Sequence, residues 1–325
     1  MYILLCSRFG SVEEKPQGRN AKTPKTPHSL VEKNLPHYVR MSRNPSSLRS
    51  QLAGLDVGDG NPVRVMAVLN VSPESFYQGS VQIQREHIVK IAQAMVSAGA
   101  NIIDVGAMST APYLKTAISE EEETERLTRA IEAIAAHVSI PISADTKRAA
   151  PARAALAVGA TIINDVGGLK YDQQMAEVVA SVEAGLIIMA SEPTPQPGSP
   201  LVRIRTALTE SLHLADRAGI AHEHIVLDPG IGFFRQPEIF WHEWDRVVLQ
   251  ELASLRELGF PLLVGVSRKS FIGKILDQPN AADRLIGSLT SAAIAVYNGA
   301  HIIRTHDVKE TVEVVKMAEW LRPQV

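Results

Sequence analysis

The chain has 325 residues, 45% of them hydrophobic and 21% charged, with a formal net charge of −2. This is a soluble-globular balance with enough apolar residues for one large core, and near-neutral charge argues against nucleic acid or an anionic membrane as partner. The single cysteine, Cys6, excludes a disulfide framework and fits a reducing, cytoplasmic setting. No apolar run reaches the length that spans a bilayer.

Residues 1–60 are rich in Pro, Ser, Asn, Lys and Arg, as in KPQGRNAKTPKTPHS, and carry no sustained periodicity. They read as a disordered N-terminal extension. The opening MYILLCSRFG is apolar over too few residues, and lacks the basic start, to read as a signal peptide. Glu13, Glu14 and Glu32 argue against a transit peptide. Met41 is an alternative start of translation that would leave 1–40 outside the protein. The folded domain is expected over 61–325.

From Val63 onward a repeat sets in. Gly99-Ala100-Asn101-Ile102-Ile103, Gly159-Ala160-Thr161-Ile162-Ile163 and Gly299-Ala300-His301-Ile302-Ile303 share G-A-x-I-I, and Gly185-Leu186-Ile187-Ile188 is a looser copy. Each glycine follows a helix-period pattern, so each unit reads as a helix closed by a left-handed glycine and a return to a buried strand. Eight such strands are expected: Arg64–Leu69, Asn101–Asp104, Pro141–Asp145, Thr161–Asn164, Gly185–Met189, His224–Asp228, Pro261–Gly265 and Ala300–Arg304. Continuous apolar runs without alternation are how strands buried on both faces read. Helical patterns lie at Ser119–Ala136, Ala149–Val158, Thr206–Ala218, Glu243–Leu258, Leu285–Asn298 and Val308–Leu321. Eight alternating βα units predict an α/β fold, a (β/α)₈ barrel. The rival, an open doubly wound sheet, lacks a G-x-G-x-x-G turn.

In a barrel the C-terminal strand tips meet around one mouth. The tips here are Asn70, Asp104, Asp145, Asn164, Met189, Asp228, Gly265 with Ser267-Arg268-Lys269, and Arg304 with His306. Any one aspartate could be a helix cap or turn residue. Capping does not predict acids and amides on one set of strands and cations on the seventh and eighth. The division suggests a ligand with two ends. One end carries N–H donors, met by Asp104, Asp145, Asn164 and Asp228. The other is anionic, met by Arg304 and His306, with Asn70 holding a divalent cation. Phe233, in DPGIGF, either presents an aromatic face to a ring or covers the core. The three tryptophans read as packing residues, and Glu120–Glu123 as a solvated helix start.

Taken together, LNVSPESF (69–76), IIDVG (102–106), ISADT (142–146), IINDVGG (162–168), DPGIGF (228–233), GVSRKSFIG (265–273) and RTHDV (304–308) resemble the dihydropteroate synthases and the wider pterin-binding barrel family. The resemblance implies a TIM barrel that joins a pterin diphosphate to an arylamine with Mg²⁺, releasing diphosphate. It implies that Asp104, Asp145, Asn164, Asp228 and Lys269 hold the pterin, with Met189 against its ring. Asn70, as metal ligand, with Arg304 and His306 would hold Mg²⁺ and the diphosphate; these three and Lys269 are the catalytic set. Thr110, Phe233 and Ser270 would face the arylamine. A homodimer is also implied.

Two stretches depart from the family pattern. The second loop usually reads acid-Ser-Thr-Arg-Pro but is Met108-Ser109-Thr110-Ala111-Pro112 here, with Lys115 the nearest replacement cation. After the fifth strand, Met189 is followed by Ala190-Ser191 and SEPTPQPGSP rather than by His. Three readings follow: the reaction with p-aminobenzoate; the same reaction on a ribosylated aminobenzoate phosphate of the methanopterin pathway; or a pterin-binding protein that is non-catalytic or transfers methyl groups. The cationic end argues against the third.

Overall fold

The computed structural model describes residues 47–71, 81–107, 118–234 and 240–322, with 81–84 described in backbone only. Ten strands run β1 (Arg49–Leu52), β2 (Leu55–Gly58), β3 (Arg64–Asn70), β4 (Ile102–Gly106), β5 (Ile142–Asp145), β6 (Ile162–Asp165), β7 (Gly185–Met189), β8 (Ile225–Asp228), β9 (Leu263–Gly265) and β10 (Ile302–Thr305). The last eight are parallel. β3 to β8 pair in chain order, and β10 lies between β3 and β9. The ring closes where Leu227 bridges Leu262, its N–H donating to the Pro261 carbonyl at 3.0 Å. The expected barrel is therefore present, with all eight strands near their expected places.

Helices cover the outside: α1 (Val81–Ser97), α2 (Glu120–Ala135), α3 (Ala149–Ala157), α4 (Met175–Ala180), α5 (Pro200–Arg217), α6 (Trp241–Gln250), α7 (Ser270–Ile275), α8 (Leu285–Tyr297) and α9 (Val308–Leu321). Two differ from expectation. α5 starts at Pro200 rather than Thr206, because proline at the first turn sacrifices only an N–H that has no helical partner. The pattern at Glu243–Leu258 splits into α6 and a 3₁₀ segment, Leu252–Leu258, which ends at left-handed Gly259.

The core has two parts, separated by the strand period of two. One lies between strands and helices. The other fills the barrel with Met66, Ile102, Ile162, Ile187, Val226, Leu263 and Ile302, joined by Leu52 and Val57. Leu52 and Val57 correct the domain boundary at residue 60. Residues 49–58 form an antiparallel hairpin, β1 with β2, that packs into the barrel's N-terminal end. Its four-residue strands are too short to show a period. Asp59 ties the hairpin down, accepting two bonds from Arg256 at 3.0 and 2.7 Å and facing His301 Nε2 at 3.2 Å. His301 Nδ1 accepts the Leu262 N–H at 3.0 Å, so its proton sits on Nε2 and points to Asp59. Residues 1–46, including Cys6 and Met41, lie outside the described residues. Among the described residues no helix is long and apolar enough to cross a membrane.

Candidate active site

Two positions beyond each interior apolar residue, strand geometry returns a side chain to the barrel interior, one layer nearer the mouth. Ile102 leads to Asp104, Ile162 to Asn164, Ile187 to Met189, Val226 to Asp228, Leu263 to Gly265 and Ile302 to Arg304. Asp145 follows Ser143 in the same way, and Asn70 lies four beyond Met66, exposed at the tip of β3. The register confirms the juxtaposition, pairing Asp145 with both Gly106 and Asn164.

Asp104, Asp145, Asn164, Met189 and Asp228 are all buried. Arg304 reaches across the barrel and joins the first two, donating to Asp104 Oδ2 at 2.7 Å and to Asp145 Oδ2 at 2.8 Å. The same Asp104 oxygen accepts Asn164 Nδ2 at 3.1 Å. The two ends expected to be separate thus meet: the cation of β10 neutralises acids of β4 and β5. Each of these groups keeps one oxygen, Asp104 Oδ1, Asp145 Oδ1 and Asn164 Oδ1, buried with no hydrogen-bond partner among the described residues. An unsatisfied buried acceptor costs about 1–3 kcal/mol, so three on adjacent strands form a template for N–H donors.

Burial pushes the Asp145 carboxyl up to about 7, against the pull of Arg304 and with the charge of Asp104 adding to it. Burial also raises Asp228, opposed by the Gly230 N–H that its Oδ1 accepts at 2.7 Å. Arg304 is held above its ordinary value: desolvation opposes this, but Asp104 and Asp145 prevail.

The cationic side differs from expectation in two residues. Arg268 points away from the acids. It forks onto Asp307 at 3.0 and 2.6 Å and donates to the carbonyls of Ala281 and Ala282. Its backbone is left-handed, φ 56°, and its N–H is taken by Ser288 Oγ at 2.8 Å. A non-glycine residue there is strained, so this network secures the turn that presents Lys269. His306 is exposed to solvent, and the desolvation of its ring followed by the charge of Arg304 pushes it down to about 4. Its Nδ1 lies 3.0 Å from Ser267 Oγ, and its backbone N–H donates to the same oxygen at 3.2 Å.

Lys269 precedes α7, and its ammonium lies 4.5 Å over the centre of the Phe233 ring. Phe233 is half-buried at the mouth. Ser270 begins α7 beside it. Thr110, Ala111 and Lys115 lie outside the described residues. Among the described residues no group of three His, Cys, Asp or Glu could hold a metal. Mg²⁺ commonly keeps much of its shell as water and substrate phosphate oxygens, and the exposed amide of Asn70 fits that limited protein share.

Glu123, expected at a solvated helix start, is not solvated. It is buried, accepting Thr146 Oγ1 at 2.5 Å and Arg148 Nη1 at 2.6 Å directly beside Asp145. The spacing Glu123, Leu127, Ala130, Ile131, Ile134 placed it on the buried face of α2, the signal that identifies it. Trp244 does pack, stacked at 4.7 Å on Phe234, whereas Trp320 is exposed.

The family model "Pterin binding enzyme" matches residues 66–306. The dihydropteroate synthase of Synechocystis is 39% identical over 269 residues, 81% of this chain and 91% of that protein. A dihydropteroate synthase structure from Clostridium difficile, solved in the presence of pteroic acid, superposes with a TM-score of 0.76 at 35% identity, covering 82% of this chain and 99% of the other. That of Xanthomonas albilineans with 4-aminobenzoic acid gives 0.74 at 30% identity, covering 85% and 98%.

Proposed function

The chain belongs to the pterin-binding enzyme family, and from that premise we propose how it performs the dihydropteroate synthase reaction. It is a transferase that joins 6-hydroxymethyl-7,8-dihydropterin diphosphate to p-aminobenzoate. The bond from the pterin methylene to the diphosphate oxygen breaks, a bond from that methylene to the arylamine nitrogen forms, and the amine loses a proton.

One observation carries the site reading: the three buried, unpartnered acceptors Asp104 Oδ1, Asp145 Oδ1 and Asn164 Oδ1 on three adjacent strands. The amino and ring N–H groups of a pterin are the donors they lack. Asp104, Asp145 and Asn164 hold its polar edge, with Asp228 closing the set and Met189 against a face. These carboxylates also favour positive charge as it develops on the pterin methylene while diphosphate departs. Arg304 and Lys269 attract the leaving anion, and His306 donates an N–H to it. Asn70 would hold Mg²⁺, which supplies charge neutralisation of the diphosphate when bound. Phe233 and Ser270 face the arylamine, and the family resemblance assigns Thr110 to it as well.

A homodimer belongs to this reading. Ile286, Ile294 and Tyr297 lie exposed along one face of α8, an apolar stripe suited to a second copy. A phosphorylated substrate does not cross a bilayer unaided, so the reaction is assigned to the cytoplasm. The test is product analysis with the pterin diphosphate, Mg²⁺ and either p-aminobenzoate or its ribosylated phosphate. Dihydropteroate from p-aminobenzoate is expected. Turnover of the larger amine alone would move the enzyme to the methanopterin branch.

A further inference from the structure

We propose that Glu192, Arg203 and Asp245 are positioning residues that fix Phe233 at the mouth and so set the affinity for the second substrate. The inference rests on the reading of Phe233 as an arylamine contact. It begins in the loop after β7, where the chain departs from its family. Glu192 of that loop is not solvated. Arg203 of α5 donates Nε to its Oε1 at 3.0 Å and Nη2 to its Oε2, and both side chains are almost wholly buried.

A buried ion pair is weak evidence for stability, because desolvation offsets most of the attraction. What a two-pronged pair supplies is geometry, since it fixes the plane of the guanidinium. That guanidinium lies 4.8 Å from the ring centre of Trp244 and 5.9 Å from that of Phe234, which stack on each other. The neighbour of Trp244 on α6, Asp245, is fully buried and accepts the Gly232 N–H at 2.9 Å. Gly230 and Gly232 are both left-handed, at φ 74° and 84°. The first donates to Asp228 and the second to Asp245, so each glycine of the turn is held by a carboxylate. The Phe233 N–H closes the turn onto the Gly230 carbonyl at 3.0 Å.

Phe233 therefore stands between a glycine anchored by Asp245 and a phenylalanine stacked on Trp244 beneath Arg203. Its ring meets Lys269 from the next strand's loop. The tips of β8 and β9 meet through the Phe233 ring, and the loop after β7 reaches the same turn through Arg203 on Phe234 and Trp244. The Pro-rich departure after β7 thus acquires a role: it brings in the acid that orients Arg203.

The test is steady-state kinetics on the full chain, varying pterin diphosphate and p-aminobenzoate separately. Asp245→Ala should raise the arylamine KM about tenfold and leave the pterin diphosphate KM within about twofold. Asp245→Asn should restore the arylamine KM, because its amide oxygen still accepts the Gly232 N–H. Glu192→Gln keeps the shape of the pair without its charge and should shift the arylamine KM the same way by less. Phe233→Ala should itself raise the arylamine KM, and adding Asp245→Ala to it should change nothing further.

Equal rises in both KM values, or an unchanged arylamine KM in folded Asp245→Ala, would overturn the proposal. If Asp245→Ala does not fold, an unchanged arylamine KM in Glu192→Gln would do so instead. No effect of Phe233→Ala would overturn the assignment of Phe233, and this proposal with it.

Discussion

Asp104, Asp145 and Arg304 form the smallest unit that explains the chemistry: two buried acids, one cation between them, and an acceptor oxygen left over on each acid. A proton on Asp145 competes with a ligand N–H for the carboxylate. With the carboxyl raised to about 7, pterin affinity should strengthen as pH rises from about 6 to about 8. Calorimetric titration across that range checks this, and Asp145→Asn should flatten the dependence. Arg304→Ala should weaken pterin binding as well as turnover, each by about tenfold or more, since it leaves buried acids uncompensated. Separate measurements of pterin affinity and kcat test that. Lost turnover with intact pterin affinity would confine Arg304 to the anion. The strand-tip residues could be read from the sequence, because parity along a strand fixes which side chain enters the barrel. The Arg304 bridge could not, because it spans strands far apart in the chain and depends on the barrel's width.

The same contrast holds for whole elements. The eight barrel strands announce themselves by unbroken apolar runs after a helix-closing glycine, and G-A-x-I-I marks three of them. The β1–β2 hairpin gives no such signal: RSQL and LDVG are short, and three of their eight residues face solvent. Leu52 nevertheless packs fully buried against the barrel interior. Leu52→Ala should cost about 2–5 kcal/mol in chemical denaturation while leaving pterin affinity unchanged, since the hairpin occupies the end opposite the mouth. The loops were least legible. Glu192 and Asp245 become informative only when packing brings three strand tips together, and the second loop's Ala111 lies outside the described residues.

Across the whole molecule, barrel topology divides labour between two ends. The N-terminal end is closed by apolar packing and the Asp59–Arg256–His301 cluster, and the C-terminal end gathers the chemistry. The exposed face of α8 predicts self-association. Sedimentation should give twice the 35.3 kDa chain mass, and Ile286→Asp should return the monomer. The central claim is that buried carboxylates of adjacent strands read a pterin. Its most direct measurement is calorimetric binding of 6-hydroxymethyl-7,8-dihydropterin diphosphate to the unaltered protein and to Asp145→Asn at pH 8. Affinity in the variant should fall by about a hundredfold, the cost of replacing a charged acceptor in a buried site. Equal affinity in the two proteins would contradict the account, because the pterin would then bind without the layer of acceptors that the barrel assembles.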